Sequence, residues 1–365
     1  MSRQTGILAD RAIRALHESG RILTNRPFED DQVQPASLDL RLGAKAYRIR
    51  ASFLPGKDNT GKDKLTRFKL HEFEFADGAI LETGCVYLVP LQEGLDLPSD
   101  ISASANPKSS TGRLDIFTRV IVNNSQAFDQ IPAGYKGPVY LEISPSTFPV
   151  VVRTGSRLSQ VRFRKGITTL EDQELEKLHE AEKLVATSEP NIHNRGIGLS
   201  IDLSGDEKGL VGYRGKRHTG LIDVDQKHAH EILDFWEPIF NRGTNDIVLD
   251  PNEFYILVSR EAVHVPPLYA AEMVPFDPLV GEFRVHYAGF FDPGFGHAQA
   301  GGLGARGVLE VRSHEVPFIV EHGQLVGRLV YEHMLERPEL LYGTDLGSNY
   351  QAQGLKLSKH FKPPL

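Results

Sequence analysis

The sequence is poor in the residues that carry metal and redox chemistry. Its 365 residues hold one cysteine, Cys85, three methionines and one tryptophan. A lone cysteine excludes an internal disulfide and suits a reducing, cytoplasmic setting. It also excludes the zinc-held deaminase pattern, which needs a Pro-Cys-x-x-Cys element beside a His or Cys and a nearby Glu. No apolar run reaches the roughly eighteen residues of a membrane span. The opening Met1-Ser-Arg-Gln-Thr has no charged stretch before an apolar core, so a secretory signal is not expected. A basic excess is missing too: 41 Lys and Arg against 48 Asp and Glu leave a formal net charge of −7. That argues against a nucleic-acid polymer as partner. A small anion stays open, because one local cluster of Lys and Arg is enough to hold a triphosphate.

What is present is a repeat. Cys85-Val-Tyr-Leu-Val aligns with Glu253-Phe-Tyr-Ile-Leu at an offset of 168 residues. The same offset pairs Pro98 with Pro266, Pro107 with Pro275, Leu141-Glu142 with Leu309-Glu310, Pro149 with Pro317 and Gly155 with Gly323. Further upstream, Ala36-Ser-Leu-Asp-Leu resembles Leu199-Ser-Ile-Asp-Leu at an offset of 163. Each copy reads as β-rich, with short apolar runs such as 85–90, 139–143 and 308–311 cut by Gly, Pro and Asp. Two stretches have helical spacing: 10–19, ending near Gly20, and 171–186, with Leu175, Leu178 and Leu184. The expected organisation is a first domain over 1–170, a connecting helix and linker over 171–190 and a second domain over 191–365.

Two constellations carry candidate chemistry. Asn106-Pro-Lys-Ser-Ser-Thr-Gly-Arg113 gathers hydroxyls and cations into a compact turn. It can bind an anion, or be no more than a polar surface loop. Its order of Gly, Lys and Ser is not that of a phosphate-binding Walker loop. Gly134-Tyr-Lys-Gly-Pro-Val-Tyr-Leu-Glu142 places an acid in an apolar strand, where desolvation raises a carboxylate's pKa towards that of a general base. Alternation alone would equally put that glutamate in solvent. Glu142 has the counterpart Glu310, whereas Asp277 and Gly281 stand where Ser109 and Arg113 would repeat. The first copy therefore carries the Ser/Arg segment alone. Cys85 is read as core, His228-Ala-His230-Glu231 as a solvent-exposed segment and residues 294–307 as a mobile glycine-rich hairpin.

Taken together, these motifs resemble those of the dCTP deaminases. Asp10-Arg-Ala-Ile-Arg-Ala-Leu-His-Glu-Ser-Gly-Arg-Ile with Gln34-Pro-Ala-Ser-Leu-Asp-Leu-Arg-Leu-Gly43 is similar to their opening. Lys108-Ser-Ser-Thr-Gly-Arg113 resembles their Arg-Ser-Ser-x-x-Arg segment, and Ile131-Pro-Ala-Gly-Tyr-Lys-Gly with Leu141-Glu142 their Gly-Tyr turn and Leu-Glu pair. Tyr342 and Tyr350-Gln-Ala-Gln-Gly-Leu-Lys-Leu-Ser-Lys359 resemble their tail. The resemblance implies a mainly β fold: two tandem dUTPase-like distorted barrels or sandwiches with a few short helices. It implies hydrolysis of dCTP to dUTP and ammonia without zinc, Glu142 moving protons and Ser109 and Arg113 touching the water or phosphates. Lys108, Ser110, Tyr135, Tyr342 and Gln353 would bind the nucleotide, with magnesium carried on its phosphates. Sites are expected between units of a homo-oligomer, the simplest being three chains that form two trimers of domains.

This chain departs from that pattern at instructive places. Pro132 stands where the family's turn has aspartate; Asp129 lies upstream, and the second copy has Asp292. Asn349 replaces the tail lysine, and a glycine-rich insertion, 297–304, separates Asp292 from Glu310. The first copy thus has the Ser/Arg segment, while the second has the aspartate turn, Glu310 and the tail. Two arrangements follow: a composite site joining both copies, or like copies pairing with Glu142, the closer match to the family spacing, as base. A dUTPase-like or bifunctional enzyme forming dUMP, and a catalytically silent nucleotide-binding scaffold, remain alternatives at this level.

Overall fold

The computed structural model describes residues 4–363 except 188, 276–282, 287–288, 299–303, 314 and 344–353. The fold is mainly β. Seven principal strands build the first unit: β1 (Ser37–Arg41), β2 (Lys45–Ile49), β3 (Val86–Asp96), β4 (Ile101–Pro107), β5 (Ile116–Val122), β6 (Lys136–Pro145) and β7 (Arg157–Lys165). Seven more build the second: β8 (Gly196–Ser200), β9 (Leu210–Gly215), β10 (Phe254–Val263), β11 (Tyr269–Pro275), β12 (Phe283–His286), β13 (Ala305–Ser313) and β14 (Leu325–His333). Leu38 and Leu40 in β1, Leu141 and Ile143 in β6, and Ile197 and Leu199 in β8 are buried at alternate positions, giving these strands a core face on which the sheets pack.

The strand orders match copy for copy. In the first unit β4, β7 and β1 are neighbours in one sheet, and β5, β6, β3 and β2 in the other. In the second, β11, β14 and β8 are neighbours, and so are β12, β13, β10 and β9. Register repeats as well: Glu142 faces Leu88 and Glu310 faces Ile256, both pairs shifted by 168. One motif alignment does not survive. Leu38 pairs with Val161 and Ile197 with Leu329, so the structural counterpart of Ser37-Leu-Asp-Leu is Gly196-Ile-Gly-Leu, not Ser200-Ile-Asp-Leu. Asp39 consequently has Gly198 as its equivalent, and the similarity of the two tetrapeptides is incidental.

Helices are few. α1 spans Asp10–Glu18 and, as expected, stops at Gly20, which adopts a left-handed φ of 71°. α2 spans Gly61–Phe68, was not expected, and is started by a Thr60–Asp63 capping box. α3 is the single turn Ser109–Gly112. α4 spans Asp172–Glu182, shorter than its apolar spacing suggested, because Lys183 turns left-handed and sends Leu184 and Val185 into the core.

Both copies carry an insertion between equivalent strands, and the two fold differently. In the first unit residues 50–68 fold back on their own sheet, where Leu65 packs with Ile49, Leu88, Ile121 and Tyr140. Gly61 lies so close that an added Cβ would sit 2.7 Å from the Tyr140 ring. In the second unit residues 216–235 reach across to the first. Ile222–Asp223 adds a parallel strand to Val150–Val152, and Trp236, fully buried, meets Phe148 edge-on with ring centroids 5.3 Å apart. One hydrophobic cluster therefore runs through both units, from Ile13 and Leu38 to Trp236, Phe254 and Phe361. Buried charges cross the same boundary: Arg162 donates to the Ala271 carbonyl and to Asp292, both at 3.0 Å, and Arg164 bonds Glu332.

Candidate functional site

A cavity of about 380 Å³ lies where the two units meet. The first unit lines it with Asp39, Lys108, Ser109, Ser110, Arg113 and Arg157. The second contributes Phe290, Phe291, Asp292, Phe295, Val308, Glu310 and Tyr342, and the C-terminal segment adds Lys359. Strand β4 ends at Pro107, so the chain turns through α3 at that point and delivers Ser109 and Arg113 to the boundary. Glu310 points in from the middle of β13.

Arg113 and Glu310 are both buried, with the guanidinium Nε 4.0 Å from the carboxylate. Arg113 also donates to the Lys356 carbonyl at 2.9 Å, so the tail is tied to the same guanidinium. Burial pushes the Glu310 carboxyl up to about 8, and Arg113 holds it from rising further. This is the poise expected of a group that takes and returns protons near neutral pH. Burial raises the Asp292 carboxyl as well, against the pull of Arg162. The turn after Asp292 needs Gly294, with φ at 99° and the Tyr342 carbonyl 2.8 Å from where a Cβ would stand. That turn stacks an aromatic wall: Phe291 meets Phe295 edge-on at 4.9 Å, and Phe295 meets Tyr342 at 5.7 Å.

Glu142 is elsewhere. It does not line this cavity; Arg119 grips it through Nε at 3.0 Å and Nη2 at 2.7 Å. Phe128 lies flat over that guanidinium at 3.6 Å, and Ser52, from the first insertion, accepts from its Nη2. Asp129 belongs to a second hollow beside Arg119, Arg164 and Glu272, where burial pushes its carboxyl up to about 7. Tyr135 is turned into its own hairpin, its hydroxyl donating to the Pro138 carbonyl at 2.6 Å. The second copy's Phe295 holds the corresponding place in the cavity. Gln353 lies outside the described residues. Cys85 is half-buried against the core at the mouth of β3.

Several lining residues carried no role at the sequence level. Asp39 sits in a motif already singled out, and its carboxylate binds Lys108 and accepts from Arg157. Lys359 was visible in the tail motif, but Arg157 and Lys227 gave no local signal. His228-Ala-His230 is exposed to half-buried as expected, yet its backbone holds the tail: His228 N–H donates to the Lys359 carbonyl and Ala229 N–H to that of His360, both at 2.9 Å. Among the described residues no group of three or more His, Cys, Asp or Glu is arranged to hold a metal ion.

The fold is the dUTPase-like β fold in duplicate, with a site shared between a Ser/Arg turn of one unit and an Asp/Glu face of the other. Models of the N-terminal and C-terminal domains of 2'-deoxycytidine 5'-triphosphate deaminase match residues 4–167 and 171–361, and the chain belongs to that family. A crystal structure of 2'-deoxycytidine 5'-triphosphate deaminase from Agrobacterium tumefaciens is 70% identical, superposes with a TM-score of 0.88 and covers 91% of this chain and all of its own. A "dCTP deaminase, dUMP-forming" from Beutenbergia cavernae is 32% identical over 158 residues, 43% of this chain and 78% of the relative. A dCTP deaminase from Acidianus ambivalens is 28% identical over 166 residues, 46% of this chain and 88% of the relative. Most of such a relative thus matches less than half of this chain, as a duplication requires.

Proposed function

We propose that the chain deaminates dCTP to dUTP and ammonia in the composite cavity, with Glu310, not Glu142, as the group that moves protons. The observation that carries this reading is the pairing of Arg113 with Glu310 across the two units, while Glu142 is neutralised by Arg119. The cytosine would lie against Phe291, Phe295 and Tyr342, and Ser109 would orient the water. Glu310 takes a proton from the water as its oxygen bonds to C4, and delivers it to N3. It then takes the remaining hydroxyl proton and delivers it to the amino group. The C4–N4 bond breaks, ammonia leaves and C4 keeps a carbonyl. Arg113 beside the carboxylate keeps it ionisable and stabilises negative charge developing on the oxygen.

Magnesium fits as an ion carried by the nucleotide. The carboxylates at the cation-rich end are engaged by Lys108, Arg157 and Arg153, and Mg²⁺ favours phosphate oxygens and retained waters over a protein cage. Zinc is not part of the proposal, since a lone cysteine supplies no thiolate set. Among the described residues no helix is long and apolar enough to cross a membrane, and a cytoplasmic setting suits the substrate. One chain supplies both halves of the site. Further assembly, with three chains forming two domain trimers as the simplest scheme, is read from the mass in solution.

The test is ammonia release and nucleotide analysis with dCTP. Ammonia with dUTP, lost in Glu310→Gln and kept in Glu142→Gln, supports the proposal. Activity retained in Glu310→Gln removes the composite site. dUMP and pyrophosphate as products replace the reaction with the dUMP-forming one, and no product at all leaves a nucleotide-binding scaffold.

A further inference from the structure

The second insertion does more than brace the two units. It crosses to the first unit at Asp223, which Arg153 clamps with two hydrogen bonds of 2.7 and 2.8 Å. Ser156 then fixes Asp225 at 2.6 Å. From there the loop turns and takes up the C-terminal segment, as an isolated parallel bridge between His230 and Phe361. Lys362 N–H donates to the His230 carbonyl at 2.9 Å. The buried His360 ring spans the join, one nitrogen 2.9 Å from the Ser358 hydroxyl and the other 2.9 Å from the Val224 carbonyl. Ser358 in turn donates to the Ser110 carbonyl beside Arg113. Insertion and tail form one strap, anchored at both ends to the Ser/Arg unit.

That strap carries Lys227 and Lys359 to the same cavity as Lys108 and Arg157. Lys108 and Arg157 already share the single buried carboxylate of Asp39. The ammonium of Lys359 is pulled down to about 8 by burial and by the like charges of Lys108, Lys227 and Arg157, with Asp39 opposing. Lys108, Arg157, Lys227 and Lys359 thus gather around the buried Asp39, with Asp31 pairing Arg157 from the outside, and like charges held so close favour an anionic ligand between them. Among the described residues, Arg113 is the charged side chain that acts on Glu310. The cavity is therefore divided into a proton-transfer end and a cation-rich end.

We propose that Lys227 of the second insertion and Lys359 of the tail form a polyphosphate clamp, so that the strap reads the phosphate chain of the nucleotide. The proposal rests on the composite cavity being the nucleotide site. Its chemistry is that of a tri- or tetra-anionic chain held by ammonium point charges, each a charge-assisted hydrogen bond.

The probe is inorganic tripolyphosphate, which has no base and reads the clamp independently of any deamination. Titrated onto the intact chain, it should bind about tenfold more weakly to Lys227→Met and to Lys359→Met, and about a hundredfold more weakly to the double variant. Lysine-to-arginine variants should restore binding, and the KM for dCTP should rise while kcat holds. Lys227 is exposed, so its replacement does not endanger folding. Unchanged tripolyphosphate affinity in Lys227→Met and in the double variant overturns the clamp. Lysine-dependent tripolyphosphate binding without deamination of dCTP keeps the clamp and removes the assigned reaction.

Discussion

The two insertions occupy the same place in the repeat and have opposite effects on the glutamate nearby. In the first unit residues 50–68 fold inward: α2 covers the sheet carrying Glu142, and Ser52 helps Arg119 hold that carboxylate. In the second unit residues 216–235 swing outward onto the neighbouring unit, leaving Glu310 facing a cavity. The barrel is the same in both; what differs with the insertion is whether the strand glutamate is closed off under Arg119 or faces a cavity beside Arg113. Duplication has produced one open site and one closed one.

The strongest way to break this comparison is at Glu310. Glu310→Gln keeps the shape and removes the proton carrier, so kcat for dCTP should fall by about 10³-fold or more, within the usual contribution of general acid–base catalysis. Arg113→Ala, which removes the neighbouring cation and the tail's anchor, should cost about 10²-fold, read as kcat/KM in the ammonia assay. If the losses fall on Glu142 and Arg119 instead, the open and closed sites have been assigned the wrong way round.

How much of this was legible in the sequence differs by scale. The duplication and the mainly β fold were, because a repeated strand pattern leaves a mark of period 168 in Leu-Glu, Pro and Gly positions. The chemistry-bearing segments were visible too, as Lys108-Ser-Ser-Thr-Gly-Arg113 and the Asp292 turn. What sequence spacing does not carry is which unit's turn meets which unit's glutamate. Glu142 is nearer to the family pattern along the chain, but Arg113 crosses to Glu310, and that crossing is set by Phe148 against Trp236 and by Arg162 against Asp292. Nor did spacing reveal α2, whose eight residues are mostly polar and are held by one buried leucine. Lys227 was hidden for the same reason: its position depends on a tail more than a hundred residues away.

The comparison can be sharpened through stability. A buried carboxyl whose pKa rises on folding stabilises the folded state below its unfolded value, near 4.5, and that benefit is lost as pH climbs through about 8. Removing the charge should therefore help most at high pH. Glu310→Gln is expected to gain on the order of a few kcal/mol relative to the parent at pH 8.5 and little at pH 5, measured by urea unfolding at both values. A gain that is equal at the two pH values would show that Glu310 is not held neutral by burial.

The closed site offers a stability test of similar size without an activity cost. Leu65→Ala leaves a hollow between α2, Leu88 and Tyr140, which should destabilise the chain by about 2–3 kcal/mol. Since α2 does not line the working cavity, kcat and KM for dCTP should stay within about twofold. A large change in KM would mean that the first insertion communicates with the composite site.

The smallest expected effect is also the most discriminating. Glu142→Gln removes the charge that Arg119 holds but leaves an oxygen for it to bond, and Phe128 still covers the guanidinium face. The cost should be confined to stability, because the two bonds from Arg119 lose their ionic partner inside a buried setting. Turnover of dCTP should remain within about threefold of the parent, with an unaltered pH profile. The profile matters more than the rate. A structural glutamate can slow the enzyme by loosening β6, but a shifted ascending limb in Glu142→Gln would count against Glu310 as the proposed proton carrier.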